Sequence, residues 1–138
     1  MSYNFSIRSR KNLEGVHPDL VSVVTRALEL TEIDFTVVEG LRSMDKQLEY
    51  VRRGASKTLR SYHLKQTDGY GHAVDLYPYY DGSVQVNAPH AKFAAIAKAM
   101  RQVAKELGVR ITWGADWDSD GITTDHSFVD SPHFQLEV

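Results

Sequence analysis

Near the middle of the chain, apolar residues recur with the period of a long amphipathic α-helix. Gly108 ends the pattern, as glycine often does at a helix C-terminus. A helix with one apolar face has to bury that face against other elements of the fold. The positions that carry this pattern are Phe93, Ile96, Ala97, Met100, Val103, Ala104 and Leu107.

Other segments predict a mixture of shorter helices and strands. A second amphipathic helix lies in "HPDLVSVVTRALEL", with Pro18 in its first turn, and a third follows the N-cap candidate Ser43 and ends at Gly54. Strands are expected from about Phe35 to Leu41 and in "AVDLYPYY", "VRITW" and "HFQLEV", with a hairpin turn at "DGS". Because no βαβ rhythm repeats, we predict an α+β fold: one domain over 1–138, with a small, mainly antiparallel sheet and flanking helices.

Composition excludes several classes of function. The 138 residues carry a formal charge of −2 and no basic run, so we expect no nucleic-acid partner. There is no cysteine, which leaves imidazole and carboxylate as the ligands for any zinc ion. No apolar run approaches the roughly 20 residues of a membrane span. The N-terminus has no signal-peptide core, so we expect a chain that is made in a cytoplasm. We also expect a monomer that does not insert into membranes.

The C-terminal stretch "DSPHFQLEV" has features of a catalytic site. Pro132 favours an extended entry to a strand, in which His133 faces a cleft while Phe134 and Leu136 face the core. Asp130 lies three residues before His133, close enough to serve the same site. An imidazole ligand beside an unligated carboxylate suits metal-assisted peptide hydrolysis. The plain alternative is a strand histidine bonded to a backbone carbonyl and an aspartate that forms a turn.

The order of four segments resembles one family of zinc peptidases. "SYHL", "GHAVDL", "WGADW" and "DSPHFQL" are similar to the D-Ala-D-Ala carboxypeptidase and L-Ala-D-Glu endopeptidase type, which includes VanY-like enzymes and small endolysins of tailed phages. The resemblance covers nearly the whole chain, because "VHPDLVSVVTRALEL" and "DFTVVEGLRSMDKQ" also look like the family's N-terminal half. No single segment identifies the family, whereas the order and combination of the segments are specific to it.

The resemblance implies a metal site and its reaction partners. One catalytic zinc ion would take three protein ligands and leave a fourth position for water; the implied ligands are His63, Asp75 and His133. Asp130 would act as the general acid and base. Arg42 would sit beside the scissile carbonyl, where its forked donors can hold an oxyanion. Gln47 and Ser61 match further positions near the cleft, with a role in substrate binding.

The spacing of the first two implied ligands departs from the family pattern. His63 and Asp75 lie twelve residues apart, and the family usually has seven. We interpret the difference as a five-residue insertion, roughly "KQTDG". The alternative is that His72 replaces His63 as a ligand. Residues three apart on a strand face opposite ways, so His72 and Asp75 would share an ion only across a bulge, and we favour His63.

The acidic loop "DWDSDGITTD" resembles the start of an EF-hand. Asp116, Asp118 and Asp120 alternate before Gly121, as calcium ligands do. Position twelve is Ser127, so the closing glutamate is missing. The loop is thus either a Ca²⁺ site or a solvated acidic loop. We expect His17, His90 and His126, which lack a partner pattern, at the surface.

The family resemblance also implies a biological role. It points to a phage endolysin that cuts the L-Ala-D-Glu bond of peptidoglycan stem peptides during host cell lysis. Such an enzyme would remain in the host cytoplasm until a separate membrane-permeabilising protein gives it access to the periplasmic wall. The alternatives are a D-Ala-D-Ala carboxypeptidase and a non-catalytic, zinc-stabilised domain that binds the wall.

Overall fold

Helices and strands are mixed along the chain, as the sequence predicts. A computed structural model describes residues 3–54, 61–115 and 130–137. Within them the helices are α1 (Ile7–Asn12), α2 (Pro18–Leu30), α3 (Met44–Arg52) and α4 (His90–Leu107). The strands are β1 (Phe35–Glu39), β2 (Ala73–Tyr80), β3 (Ser83–Val84), β4 (Ile111–Trp113) and β5 (His133–Leu136). The predicted α+β class is confirmed.

The strands form a small antiparallel sheet with β2 near its middle. The order is β1-β2-β5-β4, and β3 pairs with the end of β2. The predicted "DGS" hairpin turn connects β2 to β3, with positive φ angles of 54° at Asp81 and 79° at Gly82. Because β2 pairs with β1 on one side and β5 on the other, a residue in its first half has neighbours from both strands.

The two amphipathic helices supply most of the core. All five predicted core positions of α2 are buried, and α2 packs against α4. In α4 the predicted stripe is buried except for its last member, Leu107, which is 50% exposed because it lies at the end of the helix. Phe134 and Leu136 of β5 are buried in the same core, as their alternation predicts.

Helix α1 is an element that the periodicity does not reveal. It has no apolar stripe, and its first residue, Ile7, is 84% exposed. Polar contacts attach it to β1 instead: the Val37 amide donates to Ser9 Oγ at 3.0 Å, and Asn12 Nδ2 donates to the carbonyl oxygens of Val37 at 2.8 Å and Val38 at 3.2 Å. The helix is therefore held by hydrogen bonds to the strand backbone.

A bulge in β1 changes which side chain faces the centre of β2. Val37 pairs with Leu76, but the next pair joins Glu39, not Val38, to Asp75. An extra residue of this kind moves the following side chain to the other face of a strand. The side chain of Glu39 thus lies on the same face as that of Asp75, and β1 ends there, two residues before the predicted end at Leu41.

Gly40, directly after β1, lies close to the backbone at the end of α1. A Cβ atom at this residue would lie 1.9 Å from the carbonyl oxygen of Asn12. We predict that Gly40→Ala lowers the free energy of unfolding by about 3 kcal/mol, since backbone would have to move. The matched control is Gly54→Ala, which has a φ of 76° but no neighbour within 4 Å and should cost about 1 kcal/mol. Urea denaturation measures both, and equal losses would contradict the prediction.

Candidate metal centre

Asp75 lies at the centre of the sheet with a functional side chain on each side. In the strand register it pairs with Glu39 of β1 and His133 of β5. Directly opposite residues in antiparallel strands direct their side chains to the same face. His63 reaches this face from the segment before β2, whose backbone is fixed where the Arg42 amide donates to the His63 carbonyl at 2.7 Å.

Two imidazole rings and one carboxylate converge in this cluster. His63 Nε2 lies 3.2 Å from Asp75 Oδ1, and His133 Nδ1 lies 3.4 Å from the same oxygen. These three atoms all lie within 4.8 Å of one another. Both histidines are buried, and the Asp75 side chain is 20% exposed. The structure therefore brings together the three residues that the resemblance implies as metal ligands.

The outer ring nitrogens indicate which atoms carry protons. His63 Nδ1 lies 2.8 Å from the Gly40 carbonyl oxygen, which can only accept, so this nitrogen is the donor. His133 Nε2 lies 2.9 Å from Gln135 Oε1, and the Gln135 amide is oriented by donating to Glu137 Oε1 at 2.9 Å. In their neutral forms both rings therefore direct a lone pair at the Asp75 carboxylate.

Three acceptor atoms facing one another require a positive charge between them. Either extra protons or a metal ion can supply it. Two imidazole nitrogens and one carboxylate oxygen match the donor set of catalytic zinc sites. Their outer hydrogen bonds are those that usually fix the orientation of metal-bound histidines. The residues present thus fit a zinc ion.

The pKa values of the cluster follow from this arrangement. Burial alone would raise the pKa of Asp75, but hydrogen bonds from His133 and His63 outweigh it and hold the pKa well below its usual range. Burial alone would lower the pKa of His133, but the Asp75 carboxylate raises it above its ordinary value. Without a metal, the His133 ring therefore holds a proton more readily than free imidazole does.

Asp130 lies beside the cluster as a separate carboxylate. Burial and the negative charge of Asp75 raise its pKa above the usual range. Its backbone is held by the Gly114 carbonyl, which accepts from the Asp130 amide at 2.8 Å. A Cβ atom at Gly114 would lie 2.2 Å from the Asp130 carbonyl oxygen, so only glycine permits this approach. A carboxyl group with a raised pKa is suited to accept and return a proton.

Arg42 contacts both of the other residues that the sequence placed near the cleft. Its Nη1 donates to Gln47 Oε1 at 2.6 Å and to Ser61 Oγ at 3.5 Å. The Ser61 hydroxyl also accepts from the His63 amide at 3.1 Å. Gln47 is fully buried in α3, which begins at the predicted N-cap Ser43. Ser61 thus connects the arginine to the segment that carries His63.

Glu39 is a site residue that the sequence patterns did not single out. Its carboxylate is buried and accepts from Arg42 Nε at 2.7 Å. Burial alone would raise the pKa of Glu39, but hydrogen bonds from Arg42 and Lys46 outweigh it and lower the pKa. In the strand "FTVVE" the bulge places the last residue opposite Asp75.

A family model for phage L-alanyl-D-glutamate peptidases matches residues 1–137 of this sequence. The chain belongs to this family. An L-alanyl-D-glutamate peptidase of Escherichia phage T5 is 38% identical over 124 residues, covering 88% of this chain and 86% of that relative. An L-alanyl-D-glutamate peptidase of Listeria phage A118 is 30% identical over 138 residues, or 98% of this chain, but the match spans only 42% of that longer relative.

A solved structure has the same architecture as this member of the family. The crystal structure of the Serratia marcescens L-Ala D-Glu endopeptidase ChiX superposes with a TM-score of 0.79 at 43% sequence identity, covering 99% of this chain and 91% of that one. Within residues 3–54, 61–115 and 130–137, no helix has both the length and the hydropathy needed to cross a bilayer.

His72 lies apart from the cluster, in contacts of its own. Its Nε2 is 2.7 Å from Asp68 Oδ2, and His17 Nε2 is 3.7 Å from the same oxygen. His17 also caps α2, since its Nδ1 accepts from the Asp19 amide at 3.0 Å. The His17 side chain is 21% exposed, and the sequence pattern does not indicate its contacts with Asp68 and Asp19. Asp68 belongs to the stretch interpreted as an insertion, so this stretch is held by histidines outside the metal cluster.

The remaining expectations concern His90, His126 and the candidate calcium loop. His90 is exposed at the start of α4, and its ring stacks on Trp113 at a centroid distance of 5.7 Å. The candidate calcium ligands Asp116, Asp118 and Asp120, together with His126, lie outside the described residues.

Replacing the two neighbouring histidines separately tests which one binds the metal. We predict that His63→Gln loses zinc affinity by more than the roughly 10- to 100-fold typical of a lost outer partner. His72→Gln should keep the wild-type affinity, because its ring contacts Asp68 and not Asp75. Competition with a chromophoric chelator measures both, after circular dichroism has verified folding. Equal loss in the two variants would rule out the assignment.

Proposed function

We propose that this protein is a zinc-dependent peptidase that hydrolyses the L-Ala-D-Glu bond of peptidoglycan stem peptides, as the endolysin of a phage. The observation that carries the proposal is the convergence of His63, Asp75 and His133 lone pairs on one point. Membership of the phage L-alanyl-D-glutamate peptidase family supports the bond and the setting. Bound at these residues, zinc would lower the pKa of a water ligand to about 7 and polarise the scissile carbonyl.

Asp130 is proposed as the general acid and base. Its raised pKa makes the carboxylate a better proton acceptor than an exposed aspartate. It would take the proton of the attacking water and deliver it to the leaving amine nitrogen of D-Glu. The nearby Asp75 charge raises the pKa of Asp130 in the same way as in other pairs of carboxylates at active sites.

Arg42 is proposed to hold the carbonyl oxygen as negative charge develops on it. A guanidinium remains charged at all relevant pH values and offers donors in a fixed plane. The contacts of Arg42 with Gln47 and Ser61 support a role for these two residues in shaping the substrate cleft. Neither Arg42 nor Asp130 is required to hold a metal ion, which argues against a non-catalytic wall-binding domain.

The phage origin of the relatives supports host cell lysis as the setting. We infer that the enzyme acts on periplasmic peptidoglycan and is held in the host cytoplasm until then. A separate membrane-permeabilising protein would give it access to its substrate.

The products released from purified sacculi identify the bond that is cut. We predict fragments with a new N-terminal D-Glu, seen by mass spectrometry, because hydrolysis of the L-Ala-D-Glu bond frees that amine. Treatment with a chelator should abolish their release and added zinc should restore it. Loss of a single D-Ala from the stem peptide would replace this function with that of a D-Ala-D-Ala carboxypeptidase.

Removing the charge of Asp130 separates catalysis from metal binding. We predict that Asp130→Asn lowers kcat by about 10²- to 10⁴-fold, because the amide cannot take the proton, and that it keeps its zinc. The matched control is Asp81→Asn in the exposed hairpin turn, where asparagine suits the positive φ of 54°. Turnover of sacculi and the metal content of each protein are the measurements. Undiminished lysis by Asp130→Asn would rule out the proposed role of Asp130, and a wild type that binds sacculi without releasing fragments would favour the wall-binding alternative.

A further inference from the structure

We propose that Glu39 is a positioning residue that orients the Arg42 guanidinium for the peptidase reaction, a role that rests on the function proposed above. Three features carry this inference: the place of Glu39 in the sheet, the contacts of both its carboxylate oxygens, and the net charge of Glu39 with its two cationic partners.

The β1 bulge brings Glu39 to the metal cluster. In a ladder without the bulge, Val38 would follow Val37 as the partner of Asp75, and an aliphatic side chain would lie opposite that carboxylate. Asn12 of α1 donates to the carbonyl oxygens of Val37 and Val38, which holds the bulge in place. Glu39 is only 9% exposed as a result. A buried carboxylate is retained at little cost only when it is fully hydrogen-bonded.

Each oxygen of Glu39 has a separate set of donors. Oε1 accepts from Arg42 Nε at 2.7 Å and also from Arg42 Nη2, so it binds one whole edge of the guanidinium. Oε2 accepts from Lys46 Nζ at 2.9 Å and from the Tyr50 hydroxyl at 3.1 Å. Two residues of α3 thus hold the Glu39 carboxylate, and the carboxylate in turn fixes the Arg42 guanidinium on the side that faces the sheet.

The remaining sides of the guanidinium are also defined. Tyr50 covers one face, with its ring centroid 4.6 Å from Arg42 Cζ. Gln47 and Ser61 accept from Nη1. A guanidinium held along an edge, on a face and at a third nitrogen has little freedom to rotate. Preorganised donors of this kind stabilise a developing charge without reorganisation during the reaction.

The charges of Glu39, Arg42 and Lys46 distinguish positioning of the guanidinium from simple neutralisation of its charge. Glu39 alone would cancel the charge of Arg42. Lys46 adds a second cation to the same carboxylate, with its side chain 51% exposed. One carboxylate and two cations leave a net positive charge beside the cleft, so Arg42 can still attract an anionic oxygen.

A double-mutant cycle tests whether Glu39 acts through Arg42. We expect Glu39→Gln to lower kcat by about 10- to 100-fold with KM changed by less than about twofold, since a misplaced group costs mainly transition-state stabilisation. In an Arg42→Ala background the same change should have no further effect on kcat. Additive losses, or a wild-type kcat in Glu39→Gln, would overturn the proposal.

The matched control is Glu49→Gln, which removes an exposed carboxylate on α3 that pairs with Arg52 and should keep the wild-type kcat. Circular dichroism and zinc content verify that each variant is folded and loaded. If Glu39→Gln does not fold, Glu39→Asp takes its place in the cycle, because the shorter side chain keeps the charge but cannot hold the same edge of the guanidinium.

A spectroscopic readout separates this inference from the proposed function. The Arg42 Nε–H resonance, assigned by its absence in Arg42→Lys, should exchange slowly with solvent in the wild type and rapidly in Glu39→Gln. If the wild type does not cut the stem peptide but shows this difference, the proposed function fails and the positioning stands. A slowly exchanging Nε–H in Glu39→Gln would overturn the positioning, whatever the wild type cleaves.

Discussion

The rest of the site depends on one buried carboxylate, Asp75, facing two imidazole lone pairs. Acceptor-only partners on the far side of each ring hold this arrangement, which would be unfavourable without a proton or a cation at its centre. The sheet makes the arrangement possible because β2 places Asp75 between β1 and β5. The core under the sheet fixes the strands, and the strands in turn fix the positions of Asp75 and His133.

Periodicity is sufficient to predict the elements that bury apolar surface, whereas the residues that meet at Asp75 are implied only by the family resemblance. The apolar stripes of α2 and α4 and the apolar alternation in β5 coincide with the buried residues of these elements. Helix α1 and the β1 bulge escaped prediction, because hydrogen bonds to the backbone hold them and leave no hydrophobic pattern. Glu39 was missed for the same reason: in "FTVVE" nothing marks Val38 as the extra residue.

The long connection between His63 and Asp75 has polar contacts of its own. Asp68 within the connection accepts from the Tyr70 amide at 3.0 Å and contacts His72 and His17 outside the ligand set. Gln66 adds bonds to the carbonyl oxygens of Ser61 and Leu64. A long loop costs little more entropy than a short one, and these contacts satisfy polar groups of the connection without involving the side chains of His63, Asp75 or His133.

The end of β1 supports both halves of the candidate site. Glu39 binds the Arg42 guanidinium there, and the carbonyl of the next residue, Gly40, accepts from His63 Nδ1. The Arg42 amide also donates to the His63 carbonyl. Insertions or deletions in this strand are therefore constrained from two sides, because they would displace the arginine and one imidazole of the cluster together.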